Sequence, residues 1–173
     1  MEDDGYANER WWNEGGFENG KEPGRWGIQT EHPNRPVVNV SWYEAAAYCA
    51  WKGARLPREA EWEQAAGEGQ RAYPWGDERP DANRANFNEM GPKHPTPVGL
   101  YPAGATPEGL QDMAGNVWEW CADRHVAAGL RAVRGGSCQD NDSYLRAGRR
   151  YKFQRAEVGF DDFGFRLARD RFT

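Results

Sequence analysis

The 173-residue chain is predicted to fold as one loop-rich α+β domain, with two helices and a small twisted antiparallel sheet. Three observations lead to that class. Trp118 and Trp120 flank Glu119, a spacing that in an extended strand puts both indoles on one face and the carboxylate on the other. Short glycine-punctuated stretches return at Arg134-Gly135-Gly136-Ser137 and at Gly164-Phe165-Arg166-Leu167, which gives three short strands. Helix signals sit at Ser41 to Lys52 and at Glu59 to Ala66, grouped ahead of the strands rather than alternating with them.

Taken in order, residues 1–35 are rich in Gly, Asn and Glu, yet carry Trp11, Trp12, Phe17 and Trp26. Four large aromatics predict a segment that packs on the body rather than disorder. Val37 to Val40 reads as a short strand. Ser41 and Glu44 have the spacing of a capping box, and Gly53 ends the helix they open. Tyr43, Ala46, Ala47 and Ala50 form its expected inward stripe. The second helix follows Leu56-Pro57 and has Arg58 at the cap position, where no hydroxyl is offered. Residues 67–107 are dense in turn formers, with Tyr73-Pro74-Trp75-Gly76-Asp77 first among them. Gly109 and Gly115 bracket a close approach of backbone before the Trp118 strand.

Bulk properties narrow the partners. Nine tryptophans with a mean hydropathy of −0.99 describe few but large apolar anchors in a polar body. A net charge of −5 argues against nucleic acid or a membrane surface as the main partner. No apolar run reaches transmembrane length and no leader pattern is present, so the expected location is cytoplasmic or cell-surface. Cys49, Cys121 and Cys138 make an odd set without CxxC spacing, which suggests reduced thiols rather than zinc or a redox dithiol. His32, His94 and His125 stand far apart and form no ligand pattern.

Five ordered motifs then carry a resemblance. Pro36 to Ala45 (PVVNVSWYEA), Arg55 to Glu63 (RLPREAEWE), Asp112 to Cys121 (DMAGNVWEWC), Arg134 to Ser137 (RGGS) and Gly164 to Leu167 (GFRL) resemble the formylglycine-generating enzyme (sulfatase-modifying factor) family. The resemblance implies a C-type-lectin-like fold over residues 36–173, with residues 1–35 the remnant of a longer chain. It also implies a calcium site at Asp112, Gly115, Val117 and Glu119, two of them through backbone carbonyls, which is oxygen-rich chemistry suited to that ion. A further calcium-ligand pair maps to Asn86-Phe87, although the acidic remainder of that site falls in a segment shortened around residues 88–94. No cofactor is otherwise required.

The family's enzymes oxidise a substrate cysteine with copper(I) held by two thiolates, the soft ligands that ion prefers. These follow the Gly-Gly-Ser serine by three and eight positions, where this chain has Asp140 and Leu145. The sequence therefore points away from that oxidoreductase and toward a binder. Residues 138–163 also resemble the variable segment of diversity-generating retroelement proteins, which share the scaffold. Mutated AAY codons cannot produce Trp, Lys, Gln, Glu or Met. Cys138, Asp140, Asn141, Asp142, Tyr144, Tyr151, Phe153, Phe160, Asp161 and Phe163 are all permitted, whereas Gln139, Lys152, Gln154 and Glu157 would be fixed. Arginines interleaved with aromatics are recognition chemistry. The expected ligand-binding face comprises those ten residues with Arg149 and Arg155, and the partner is a protein or a glycan. Cys138 is expected at its edge as a free thiol, with Phe165 turned into the core. The alternatives are a formylglycine-generating-type oxidoreductase and a structural accessory domain of a larger signalling protein.

Overall fold

The computed structural model describes residues 5–17, 22–67, 69–124, 129–150 and 153–170. Three α-helices precede the sheet: α1 (Trp26–Thr30), α2 (Trp42–Trp51) and α3 (Glu59–Ala66). The first was not foreseen, because it is five residues long and its entry residue, Arg25, offers no side-chain cap. Four strands follow: β1 (Trp118–Arg124), β2 (Leu130–Arg134), β3 (Gln154–Arg155) and β4 (Phe163–Gly164). Their order is β3-β2-β1-β4. The sheet is mixed rather than antiparallel, since β4 runs parallel to β1 with Trp118 opposite Phe163. The chain reaches β4 after passing the far edge at β3, so it enters beside β1 from the other side.

The capping box at α2 forms as its spacing predicts: Ser41 Oγ accepts from the Glu44 N–H at 3.2 Å, and Glu44 Oε2 accepts from the Ser41 N–H at 2.5 Å. The inward stripe differs from the expected one, of which Ala47 is buried while Tyr43, Ala46 and Ala50 are only partly so. Trp42, Ala45 and Cys49 are the buried line facing the sheet, while Tyr43 and Ala46 only flank it. The reason lies in Trp42, whose indole donates to the Cys121 carbonyl at 2.7 Å and turns that line of the helix inward. At α3 the absent cap hydroxyl is replaced from a distance. Asp123, on β1, accepts from the Glu59 N–H, and Glu61 reaches back to the Arg58 N–H at 2.8 Å.

Residues 37–40 do not form a strand. Asn39 has a positive φ of 54°, and the segment satisfies its backbone through side chains instead. Gln29 both donates to the Val38 carbonyl (2.9 Å) and accepts from the Val38 N–H (2.8 Å), as a neighbouring strand would. Trp120 donates to the Val40 carbonyl at 3.0 Å.

β1 is the spine of the core. Trp118 and Trp120 lie on one side with Trp42, Leu56, Val133 and Phe163. Trp62, Met113 and Cys121 make a second cluster, and Tyr73, Phe87 and Leu145 a third. Between Trp120 and Arg124 the pairing with β2 slips. The displaced backbone is not left unpaired, because the Ala122 N–H donates to the Pro57 carbonyl and the Cys121 carbonyl receives Trp42. Phe165 packs against the first cluster only in part, edge-on to Tyr48.

This packing predicts a steep contrast in denaturant melts. Trp120→Ala, at a fully buried position, should cost about 3–5 kcal/mol. Arg155→Ala, on an exposed side chain, should stay within about 0.5 kcal/mol. Equal losses would contradict the assignment of β1 as spine.

Candidate functional site

The most constrained point is Glu119, buried although charged. Its carboxylate receives the Trp62 indole N–H at 2.7 Å and a bidentate guanidinium from Arg166, at 2.6 and 2.7 Å. Arg166 also donates to the carbonyls of Gln111 and Asp112. Burial is the largest single influence on Arg166 and would lower its pKa, but the charge and hydrogen bonds of Glu119 together with the charge of Asp112 turn the net shift upward. One ion pair thus joins β1, α3, the Asp112 turn and the Gly-Phe-Arg segment.

Asn116 organises the loop beside it. Its side-chain Oδ1 accepts from Thr96 N (2.9 Å) and Asn86 Nδ2 (3.1 Å), and its own Nδ2 donates to the Thr96 carbonyl (3.2 Å). All three residues are buried. The long turn-rich region is therefore pinned by amides rather than by regular structure. Gly115 permits this contact: it has φ 77°, and a Cβ there would lie 2.4 Å from the Asn86 carbonyl oxygen.

Asp112 and Glu119 line one cavity of about 410 Å³ together with Arg166 and Phe165. The donor set does not fit a calcium ion as it stands. Glu119 is committed to Arg166 and Trp62, and the Gly115 carbonyl accepts from the Val117 N–H at 2.9 Å. The Arg166 guanidinium already supplies the positive charge that a cation would bring. Burial raises the Asp112 carboxyl pKa, against the opposing hydrogen bond from the Gly99 N–H. Among the described residues, no group of three acidic, His or Cys side chains is arranged to hold a metal.

The segment after Gly-Gly-Ser has a divided character. Cys138 does not sit at a surface edge, because its side chain is fully buried and its N–H donates to the Asn116 carbonyl at 3.0 Å. Burial pushes its thiol up to about 12, as it does for Cys49. All three thiols are free. Phe163 is likewise a core residue, packed on Trp118, Trp120 and Phe160. Asp140 is half-buried and structural in its contacts: Oδ2 accepts from the Trp118 indole (2.8 Å), the Ser137 hydroxyl (2.6 Å) and the Ser137 N–H (3.1 Å).

The remaining expected residues do not form one patch. Asn141 is exposed and caps a short 3-10 turn (Asp142–Leu145), with Asp142 and Tyr144 half-buried within it. Tyr144 packs edge-on to Trp118, and exposed Arg149 covers its ring at 4.5 Å. Phe153 packs instead on the Trp62 cluster under Arg150, and Arg155 projects to solvent on β3. Phe160 leans on Phe163, and exposed Asp161 accepts from the Gln139 side chain at 3.2 Å. Tyr151 lies outside the described residues. The resemblance to a variable segment put Cys138 and Phe163 on the binding face, but both are buried, because their support comes from distant loops.

A groove of about 470 Å³ was not anticipated. It runs between the 25–39 stretch and the Gln139–Asp161 edge, and it brings together His32 and His94, which the sequence left far apart. The sequence signal was present only as scattered basic and apolar residues around Pro33 and Pro36. His125 lies outside the described residues.

Comparison with known proteins places this geometry. The model of the sulfatase-modifying factor enzyme 1-like domain matches residues 1–171. The chain belongs to this family. Its C-type-lectin-like fold is loop-rich, with a small mixed, curled sheet. The chain is 41% identical over 141 residues to a hercynine oxygenase of Mycobacterium tuberculosis, covering 69% of this chain and 33% of that one. It is 38% identical over 177 residues to a formylglycine-generating enzyme of Streptomyces coelicolor, covering 82% of this chain and 54% of the other. The chain thus spans about a third to a half of the length of these two relatives. Among solved structures, Treponema denticola variable protein 1 superposes with a TM-score of 0.63 at 27% identity, over 78% of this chain and 70% of its own.

Two outcomes follow for this family member. In the native protein the three thiols should resist a thiol reagent at pH 8 and react only on unfolding, whereas a fast-reacting native thiol would contradict their burial. Asp112 carries the other. A carboxyl whose folded pKa exceeds its unfolded value adds stability below the unfolded pKa, and that stability is lost as pH rises through the folded pKa. Asp112→Asn should therefore raise Tm at neutral pH, the gain fading below about pH 4. A lower Tm in the variant, coupled to a calcium-dependent rise in the parent, would instead mean that Arg166 yields the site to the ion.

Proposed function

We propose that this domain is a ligand-binding module, of the kind represented by variable proteins, rather than a copper-dependent oxidoreductase. The carrying observation concerns the two positions where the family resemblance puts the copper-holding thiolates. Asp140 is tied to Trp118 and Ser137, and Leu145 is buried in the third core cluster. No soft ligand stands at either place, so copper(I) has no linear pair to bind. Asn141, Arg149 and Asp161, which follow these fixed residues in the same segment, face solvent. That is the arrangement a recognition surface needs, with rigid support beneath replaceable side chains. The partner is a protein or a glycan, contacted through arginine and half-exposed aromatic side chains such as Tyr144 and Phe160. Similarity to Treponema denticola variable protein 1 supports the reading, as do the residue types at the exposed positions of residues 138–163.

Copper(I) titration against a chromogenic chelator is the test against the enzyme. The expected result is no thiolate-linked binding that competes with the chelator; stoichiometric tight binding would restore the oxidoreductase. Sequencing the locus across isolates addresses the display role. Differences should concentrate at adenine-derived codons of the exposed positions, and an invariant segment would remove the claim of variability.

A further inference from the structure

We propose that the groove beside Gln139 and Asp161 takes an acidic peptide, an extended stretch of a partner protein in which a large apolar side chain is flanked by carboxylates. The inference rests on the reading of the domain as a binding module and names the chemistry of its ligand. Its floor is apolar and open: Trp26, Ile28 and Val37 line it, and Ile28 is 61% exposed and Val37 37% exposed. Its rim is basic. Arg25, Arg35 and Lys93 surround the opening, and Asp161 is the sole acid among the lining residues.

The rim cations are also uncommitted. None of the three makes an ion pair among the described residues, whereas Arg55, Arg84, Arg150 and Arg166 each hold a carboxylate. In a chain of net charge −5, carboxylates are plentiful, and three unpaired cations around one apolar hollow make a local field opposite to that of the whole. An anionic ligand is steered there and a basic one is repelled.

The groove is built rather than incidental. Gln29 ties α1 to both backbone groups of Val38 and, at 2.7 Å, to the Gly24 carbonyl. The Asn39 N–H donates to the Phe160 carbonyl, and the Val98 N–H to that of Asn34. Both walls are therefore held before any ligand arrives, which lowers the ordering cost of binding. A volume of about 470 Å³ admits a few side chains of an extended peptide and exceeds what a bare anion would fill. The Gln139–Asp161 edge belongs to the C-terminal segment, so exchange at Asp161 would adjust specificity without disturbing the floor.

The test is selection of a displayed random-peptide library on the intact chain, with affinities of synthetic winners measured by calorimetry. Winners should carry Asp or Glu around an aromatic or large aliphatic residue. Their affinity should fall about tenfold or more in the double variant Arg25→Glu, Lys93→Glu, and should weaken with added salt. It should hold in Arg79→Ala, an exposed side chain that lines neither the groove nor the outward positions of the C-terminal segment. All three side chains are exposed, and an unchanged melting temperature confirms that the variants remain folded. Winners without acidic bias, or indifferent to the double reversal, would overturn the groove assignment. Loss of affinity in Arg149→Ala but not in the double variant would overturn the groove, move the site to the outward residues after Gly-Gly-Ser, and leave the binding reading standing. Absence of any enriched peptide would count against both. Glutarate binding as tightly as the peptide would reassign the groove to a small dicarboxylate.

Discussion

A buried indole has one requirement that its large apolar body does not share: its single N–H must find an acceptor away from water. Five buried tryptophans impose that requirement here; Trp12 meets it locally at the Tyr6 carbonyl, and the other four reach across the structure. Trp42 donates to the Cys121 carbonyl, Trp62 to Glu119, Trp118 to Asp140 and Trp120 to the Val40 carbonyl. Each of those bonds joins residues far apart in sequence and fixes a bulge, a buried charge or an irregular loop. A chain with only two long helices and four short strands thus obtains a defined interior. The apolar bodies supply most of the burial, and the N–H groups select which loop conformation may accompany it.

That constraint explains why the segment after Gly-Gly-Ser divides as it does. Asp140 is held because Trp118 needs an acceptor, and Asp140 in turn fixes Ser137. Cys138, Leu145, Ala147 and Phe163 close the interior around it. Between these fixed points Gln139, Asn141, Arg149 and Asp161 turn outward. In relatives that oxidise cysteine, the family resemblance puts two thiolates at the positions of Asp140 and Leu145. Here Asp140 accepts from the Trp118 indole and Leu145 is buried, so both positions serve packing.

Much of this was legible in the residues. The capping box at Ser41 and Glu44, the α3 span and the Trp118–Trp120 strand all rest on local signals, and local signals survive folding. The family resemblance supplied the fold, which periodicity alone could not have named. What stayed hidden depends on distant partners. Val37 to Val40 has strand composition but pairs with the Gln29 side chain instead of a ladder. Cys138 was placed at a surface edge by the variable-segment resemblance, yet Asn116 draws its backbone inward. The basic groove joins residues 25–39 to residues 93–95 and 139–161, and no window of sequence contains all three.

The central claim is that indole-anchored interior positions and outward positions interleave within one short stretch. A single-substitution library over residues 137–163, sorted by resistance of the displayed chain to proteolysis, measures it directly. The account predicts that Ser137, Cys138, Asp140, Leu145, Ala147 and Phe163 reject most replacements, while Gln139, Asn141, Arg149, Arg155 and Asp161 accept them. Uniform tolerance, or uniform intolerance, across the stretch would contradict it.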